Sequence, residues 1–381
     1  VTYPEYAPAP VAYAPASGSG NGFDAYAMAA LDAERDGGRY LTLVSFYPKQ
    51  KENAMALVQP DIAQIARATE LPFKFQFAAR APFTPAPYQK GWRLIGRSLV
   101  WQIQDACKSG DFDKAVATTV LTTRFGFNLT GGSAVDASMG FVIADQARQS
   151  LAPNLGKLSP VQLQKLSSGL VDALAKKPPI LNAIENETAN MKVAVQALQD
   201  AYRNDGLQIY TKNLGLDVRE PIGYLKDLQP EDPKRQKFFD SLAEYVTAMS
   251  DYAKKLATVP ASARASMMPP KMPPDHPWRR LAKYIVRTPL PLPDMDDATV
   301  ARTRLMIIES ELIRRRQLHM ELPADLKGFS APINVDPYTG RPFIYHAEGS
   351  DYTVYSVGVD GIDNAGQTDA TFTTPDLKLE R

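Results

Sequence analysis

A chain of 381 residues has room for roughly two or three ordinary domains with sizeable cores. Its 43 Lys and Arg balance 42 Asp and Glu, which argues against nucleic acid or an anionic membrane surface as partner. A single cysteine, Cys107, excludes an internal disulfide, and no apolar run reaches the roughly eighteen residues of a membrane span.

The first element is not a folded one. Residues 1–20, "VTYPEYAPAPVAYAPASGSG", form a Pro/Tyr-rich arm with an extended, polyproline-like bias and a Ser/Gly hinge. It has too little apolar surface to order itself. A neighbouring subunit is therefore the expected support, with Tyr3, Tyr6 and Tyr13 as anchors. The chain opens on Val1 rather than Met, which suits an exported protein whose signal or anchor has been removed.

Residues 22–35 predict a helix with Asp24 near its start, and 39–47 a strand or an extended connection. Residues 52–70 predict helix broken near Pro60, because proline disfavours helix in the residue before it. Residues 71–88 carry four prolines and several phenylalanines, an extended loop with apolar side chains to bury.

From 89 to 175 the period is helical. Trp92, Ile95, Leu99, Trp101 and Ile103 mark one stripe, and Gly110-Asp111 supplies a C-cap and the next N-cap. Ser133 caps a third helix, and Ser159 a fourth with Pro160 at its first position. Short connections between amphipathic helices imply antiparallel neighbours, hence a helical bundle or short solenoid. "ACKSGDFDKAV" is like one turn of a tetratricopeptide repeat, without a second copy at that period. Further helices are predicted over 182–203 and 231–257, a Pro/Met-rich linker or arm over 258–296, and a long helix over 297–320.

The C-terminal part predicts a β-hairpin. "RPFIYH" and "YTVYSV" alternate and are rich in strand formers, with "AEGSD" between them. "DPYTG" before them has Pro at the second turn position and Gly at its end. The order of long helix, "ELPADL", "VDPYTGRPFIY" and "YTVYSVGVDGIDNAG" resembles the soluble part of type II secretion pseudopilins and type IV pilin-like proteins. It also resembles large uncharacterised bacterial proteins, planctomycete-like ones among them, that carry this module after a helical domain. The helices of 105–170 look like that second group as well. The polymerising hydrophobic helix of pilins is absent from 1–20, so the resemblance implies a borrowed module rather than a pilin.

The acidic loop "VGVDGIDNAGQTD" is the one candidate metal site. Hard cations want six to eight oxygens on a flexible loop, and glycines let carbonyls turn inward. Several pseudopilins bind calcium at the matching loop, which the resemblance maps onto the Val357 carbonyl and Asp360, with Asp363 or Asp369 as further carboxylates. The spacing departs from the EF-hand pattern, and Asp-Gly and Asp-Asn are also plain turn formers.

Other chemistry finds little footing. His276, His319 and His346 lie far apart and lack zinc-ligand spacing. "TGGSA" lacks the phosphate-loop lysine and reads as a helix boundary. Arg314 to Arg316 point around a helix and suit salt bridges to Glu309 and Glu311. The fold expected is mainly α, with a small C-terminal α+β pseudopilin-like module. Its parts are an arm (1–20), a helical domain (21–257), a linker (258–296) and the module (297–381). The function expected is that of a non-enzymatic, extracytoplasmic structural or accessory subunit of a bacterial assembly. The alternative is a secretion-associated module that binds peptide or protein in a tetratricopeptide-like groove.

Overall fold

The computed structural model describes residues 13, 20–40, 48–80, 86–203, 232–271, 290–349, 351–368 and 376–379. Among them the chain is mainly helical, with one two-stranded antiparallel sheet near the C-terminus. Helix α1 (Gly22–Gly37) has Asp24 in its first turn, as expected, and is capped by Asn21, whose side chain accepts the Phe23 N–H. The break expected near Pro60 separates α2 (Pro48–Leu57) from α3 (Gln59–Ala68), where Pro60 sits in the first turn and its missing N–H costs nothing.

Helices α4 (Gln89–Ser109) and α5 (Phe112–Leu129) meet at Gly110, which is left-handed at φ 77°, and the Asp111 side chain accepts the Lys114 N–H. Helices α6 (Ala134–Leu151) and α7 (Pro160–Ala175) both start with capping boxes, Ser133 with Asp136 and Ser159 with Gln162. Next come α8 (Ile180–Arg203), α9 (Pro233–Ala257), the single turn α10 (Ala261–Arg264) and α11 (Leu292–Gln317). Strands β1 (Ile344–Glu348) and β2 (Asp351–Tyr355) pair from Ile344 opposite Tyr355 to Glu348 opposite Asp351. The strand-or-extended segment of 39–47 lies, from 41 onward, outside the described residues.

Two large cores stand out among the described residues. The first is aromatic. Phe23 and Tyr26 of α1, Tyr88, Trp92 of α4 and Phe125 of α5 are buried with Phe73 and Phe75 against them. This is where Phe73, Phe75, Ala86 and Tyr88 of the 71–88 segment go. The polar tips are satisfied inside: the Trp92 indole donates to the Tyr26 carbonyl at 2.9 Å, and the Asn128 amide to the Tyr26 hydroxyl at 3.0 Å. Of the expected α4 stripe, Trp92, Ile95, Leu99 and Ile103 are buried, whereas Trp101 is half-buried with Lys51 over its ring.

The second core is aliphatic and crosses the expected domain boundaries. It unites Ile103 of α4, Leu151 of α6, Leu163, Leu166 and Leu170 of α7 and Leu305, Ile308 and Leu312 of α11 with Phe343, Val354 and Leu379. The C-terminal hairpin thus shares the helical core rather than closing one of its own. The boundary expected at 297 falls inside α11, and Ala261 and Leu292 of the expected linker are buried. Helices α5 and α6 cross backbone to backbone: a Cβ on Gly140 would lie 2.2 Å from the Gly126 carbonyl oxygen.

The arm behaves differently from expectation where it is described. Tyr13 stacks edge-on to Phe23 (5.8 Å) and Tyr88 (6.2 Å), and its hydroxyl donates to the Asp24 carboxylate. It anchors to its own chain, because the rings and the acceptor that it needs are there. Tyr3 and Tyr6 lie outside the described residues.

Candidate functional site

The C-terminal loop is built on a buried carboxylate ahead of it. Asp336 opens the "DPYTG" turn, where the Gly340 N–H donates to its carbonyl at 2.8 Å and Gly340 takes φ 71°. Its side chain then reaches across the module. One oxygen accepts the Tyr338 N–H at 3.0 Å; the other accepts the Ser356 hydroxyl at 2.8 Å and the Val357 N–H at 3.3 Å. Ser356 in turn accepts the Gly358 N–H at 3.1 Å. Burial pushes the Asp336 carboxyl up, while these donors and the Arg304 guanidinium pull the other way. Ser356 is fully buried, and this Ser–Asp pair braces the backbone around it.

Three of the four expected metal ligands lie among the described residues, and each has its own hydrogen-bond role. Val357 is tied to Asp336 through its N–H. Asp360 turns back to the Ile362 N–H at 3.1 Å, a local turn at an exposed tip. Asp363 accepts from the Ala365 N–H and the Tyr355 hydroxyl, both at 2.8 Å, and burial together with this carboxylate pushes the Tyr355 phenol up to about 12. Asp369 lies outside the described residues. The carboxylate that closes the loop is one the sequence reading passed over. Asp376 accepts the Asn364 N–H at 3.1 Å and the Gly366 N–H at 2.7 Å through one oxygen, while its other oxygen is buried without a hydrogen-bond partner. Among the described residues no three His, Cys, Asp or Glu side chains gather as a metal cage. The signal for Asp376 was faint, an acid after "TTP", ten residues past the glycine that it holds.

The "TGGSA" boundary has its helix N-terminus filled from within. Asp136 accepts the Ser133 N–H at 2.9 Å and the Gln89 amide at 2.7 Å, and Glu187 of α8 accepts the Ala134 N–H at 3.2 Å. Two carboxylates already occupy the position a phosphate would need. Arg314 and Arg315 both pair with Glu311 (2.8 and 3.1 Å), as expected of a salt-bridged face. Glu309 instead accepts the Tyr352 hydroxyl at 2.5 Å, tying α11 to β2.

One concavity with an apolar floor lies between α8 and α9. Its volume is about 240 Å³, with Val195, Phe239 and Val246 beneath exposed Lys192, Gln196 and Asp240. No helix of the described residues is long and apolar enough to cross a membrane. Comparison with known proteins returns no matching family model, no matching curated protein and no matching solved structure.

Proposed function

We propose that the chain is a non-enzymatic, extracytoplasmic structural or accessory subunit of a larger bacterial assembly, a filament or an envelope complex, and acts through protein–protein contacts. The observation that carries this reading is how the C-terminal acids are used. Asp336, Asp363 and Asp376 all accept from backbone N–H groups and brace loops, the chemistry of a rigid scaffold. The compartment and the kind of assembly rest on the resemblance of residues 297–381 to pseudopilins. Sedimentation and light scattering of the full chain, and of a chain lacking residues 1–12 so that Tyr13 keeps its pocket, test the reading. Assemblies that disappear on truncation are the expected result. A monodisperse monomer in both forms would end the self-assembly part. It would favour the second reading, capture of a foreign peptide or protein in the α8–α9 groove, whose apolar floor and polar rim suit such a ligand.

Calcium belongs to the proposal as a ligand of the acidic loop. Asp376 accepts the N–H of Asn364, the residue after Asp363, through one oxygen, and its other oxygen has no hydrogen-bond partner among the described residues; a hard cation would take that oxygen with backbone carbonyls. At a hundredfold excess over Kd a cation bound only to the folded chain adds about 2.7 kcal/mol. The melting temperature is therefore expected to rise with calcium and fall with a chelator. An unchanged value would mean that hydrogen bonds alone hold the loop.

A further inference from the structure

The three acids that open α11 face cations delivered by other parts of the chain. Arg264 of α10 donates to the carbonyls of Leu256 (2.7 Å) and Val259 (3.0 Å) at the end of α9. The same guanidinium pairs with Asp294 (2.6 Å) and Asp297 (2.7 Å). Lys177, after α7, pairs with Asp296 at 2.5 Å. Arg304, two turns along α11, donates to the Val335 carbonyl at 2.7 Å beside the Asp336 turn, and the Ser262 N–H reaches the Tyr338 carbonyl at 3.1 Å. One charged junction therefore ties α9, α10, α11 and the "DPYTG" turn together.

At the start of α11 three acids share two cations: Asp294 and Asp297 both pair with Arg264, and Asp296 pairs with Lys177. Arg302, also close by, shares Asp145 with Arg148 (2.8 and 3.6 Å), and Tyr338 adds only a neutral phenol. Asp294 is about half exposed, and Asp296 has Lys177 to itself. Asp336 has three donors of its own, two of them backbone N–H groups, set against the burial that pushes its carboxyl up. Asp297, whose side chain is 16% exposed, has only the guanidinium that it shares with Asp294.

We propose that Asp297 is a proton-operated latch: it takes up a proton as the surroundings turn acid, and the junction between α9–α10 and α11 with its following turn packs more tightly for it. Burial is the main cause, Asp296 and Asp294 add to it, and Arg264 opposes, which together push the carboxyl up to about 7. A carboxyl raised in the folded state stabilises fully below its unfolded value and loses that contribution as pH rises through the folded one. The window therefore runs from about 4 to about 7.

Carboxyl-carbon NMR of the full chain tests the latch without any substitution. With the resonance of Asp297 assigned along the chain, its titration near 7 is expected, and an Asp297 titrating below about 5 would overturn the proposal. Urea unfolding between pH 5 and 8 gives the second readout. The folding constant of the native sequence should fall by up to about tenfold per pH unit relative to Asp297→Asn. Equal slopes in the two proteins would also overturn it, and if the variant does not fold the NMR titration decides.

Discussion

Asp336→Ala is expected to cost about 3–5 kcal/mol of stability, read as a lower urea midpoint with an unchanged slope. The carboxylate is 1% exposed, so water does not replace it. Its removal strands the Tyr338 and Val357 N–H groups and the Ser356 hydroxyl in a buried place. Each unsatisfied donor costs about 1–3 kcal/mol. It also takes a carboxylate away from Arg304, whose guanidinium burial already pushes down. Against this stands the relief of one buried charge, which makes the lower end of the range the floor. Asp336→Asn keeps one acceptor and should fall between the two. A loss below about 1 kcal/mol for the alanine variant would mean that the turn is held by its backbone bonds alone.

Gly91→Ala is expected to be of similar size for a different reason. A Cβ there would stand 1.8 Å from the Ala30 carbonyl oxygen, with the Ala30 carbon and Cα also inside 3 Å. The obstacle is the backbone of α1, which cannot swing aside as a side chain can. Helix propensity favours alanine by about 1 kcal/mol, but overpacking against backbone costs about 3 kcal/mol or more here, and the clash wins. Helix α1 must shift, and Trp92 and Tyr26, which bond across the same contact, move with it. The control is Gly156→Ala, whose Cβ would meet nothing within 4 Å. It should leave the melting temperature close to that of the native sequence, and equal effects in the two variants would rule out the close-crossing explanation.

Much of the helical architecture was legible because its signals are local. Ser133, Ser159, Pro160 and the Gly110-Asp111 pair each act within one turn of chain, and each does what the sequence suggests. The hairpin was legible for the same reason, through alternation and a short glycine-bearing turn. What failed was non-local. The boundary at 297 looked natural because proline-rich chain precedes it, yet periodicity says nothing about which core a helix joins, and α11 packs along α6 and α7. Tyr13 lies in a low-complexity stretch, and its pocket is made by Phe23 and Tyr88, far along the chain. The candidate site was legible only as composition. The acids of 357–369 are turn formers by their nearest neighbours, whereas Asp336, Ser356 and Asp376 hold the loop from positions that only tertiary structure brings together.

The shared aliphatic core has a consequence for synthesis. Leu379 and Phe343 fill the same cluster as Ile103 and Leu151, so the apolar faces of α4, α6 and α7 stay open until residues 343–379 have left the ribosome. At about 5–20 residues per second that interval lasts on the order of tens of seconds. The nascent chain therefore carries an unfinished, sticky surface for longer than one built from sequential domains would. Chaperone dependence and aggregation of prematurely terminated products are the costs that follow from placing the C-terminal hairpin in the core of α4, α6 and α7.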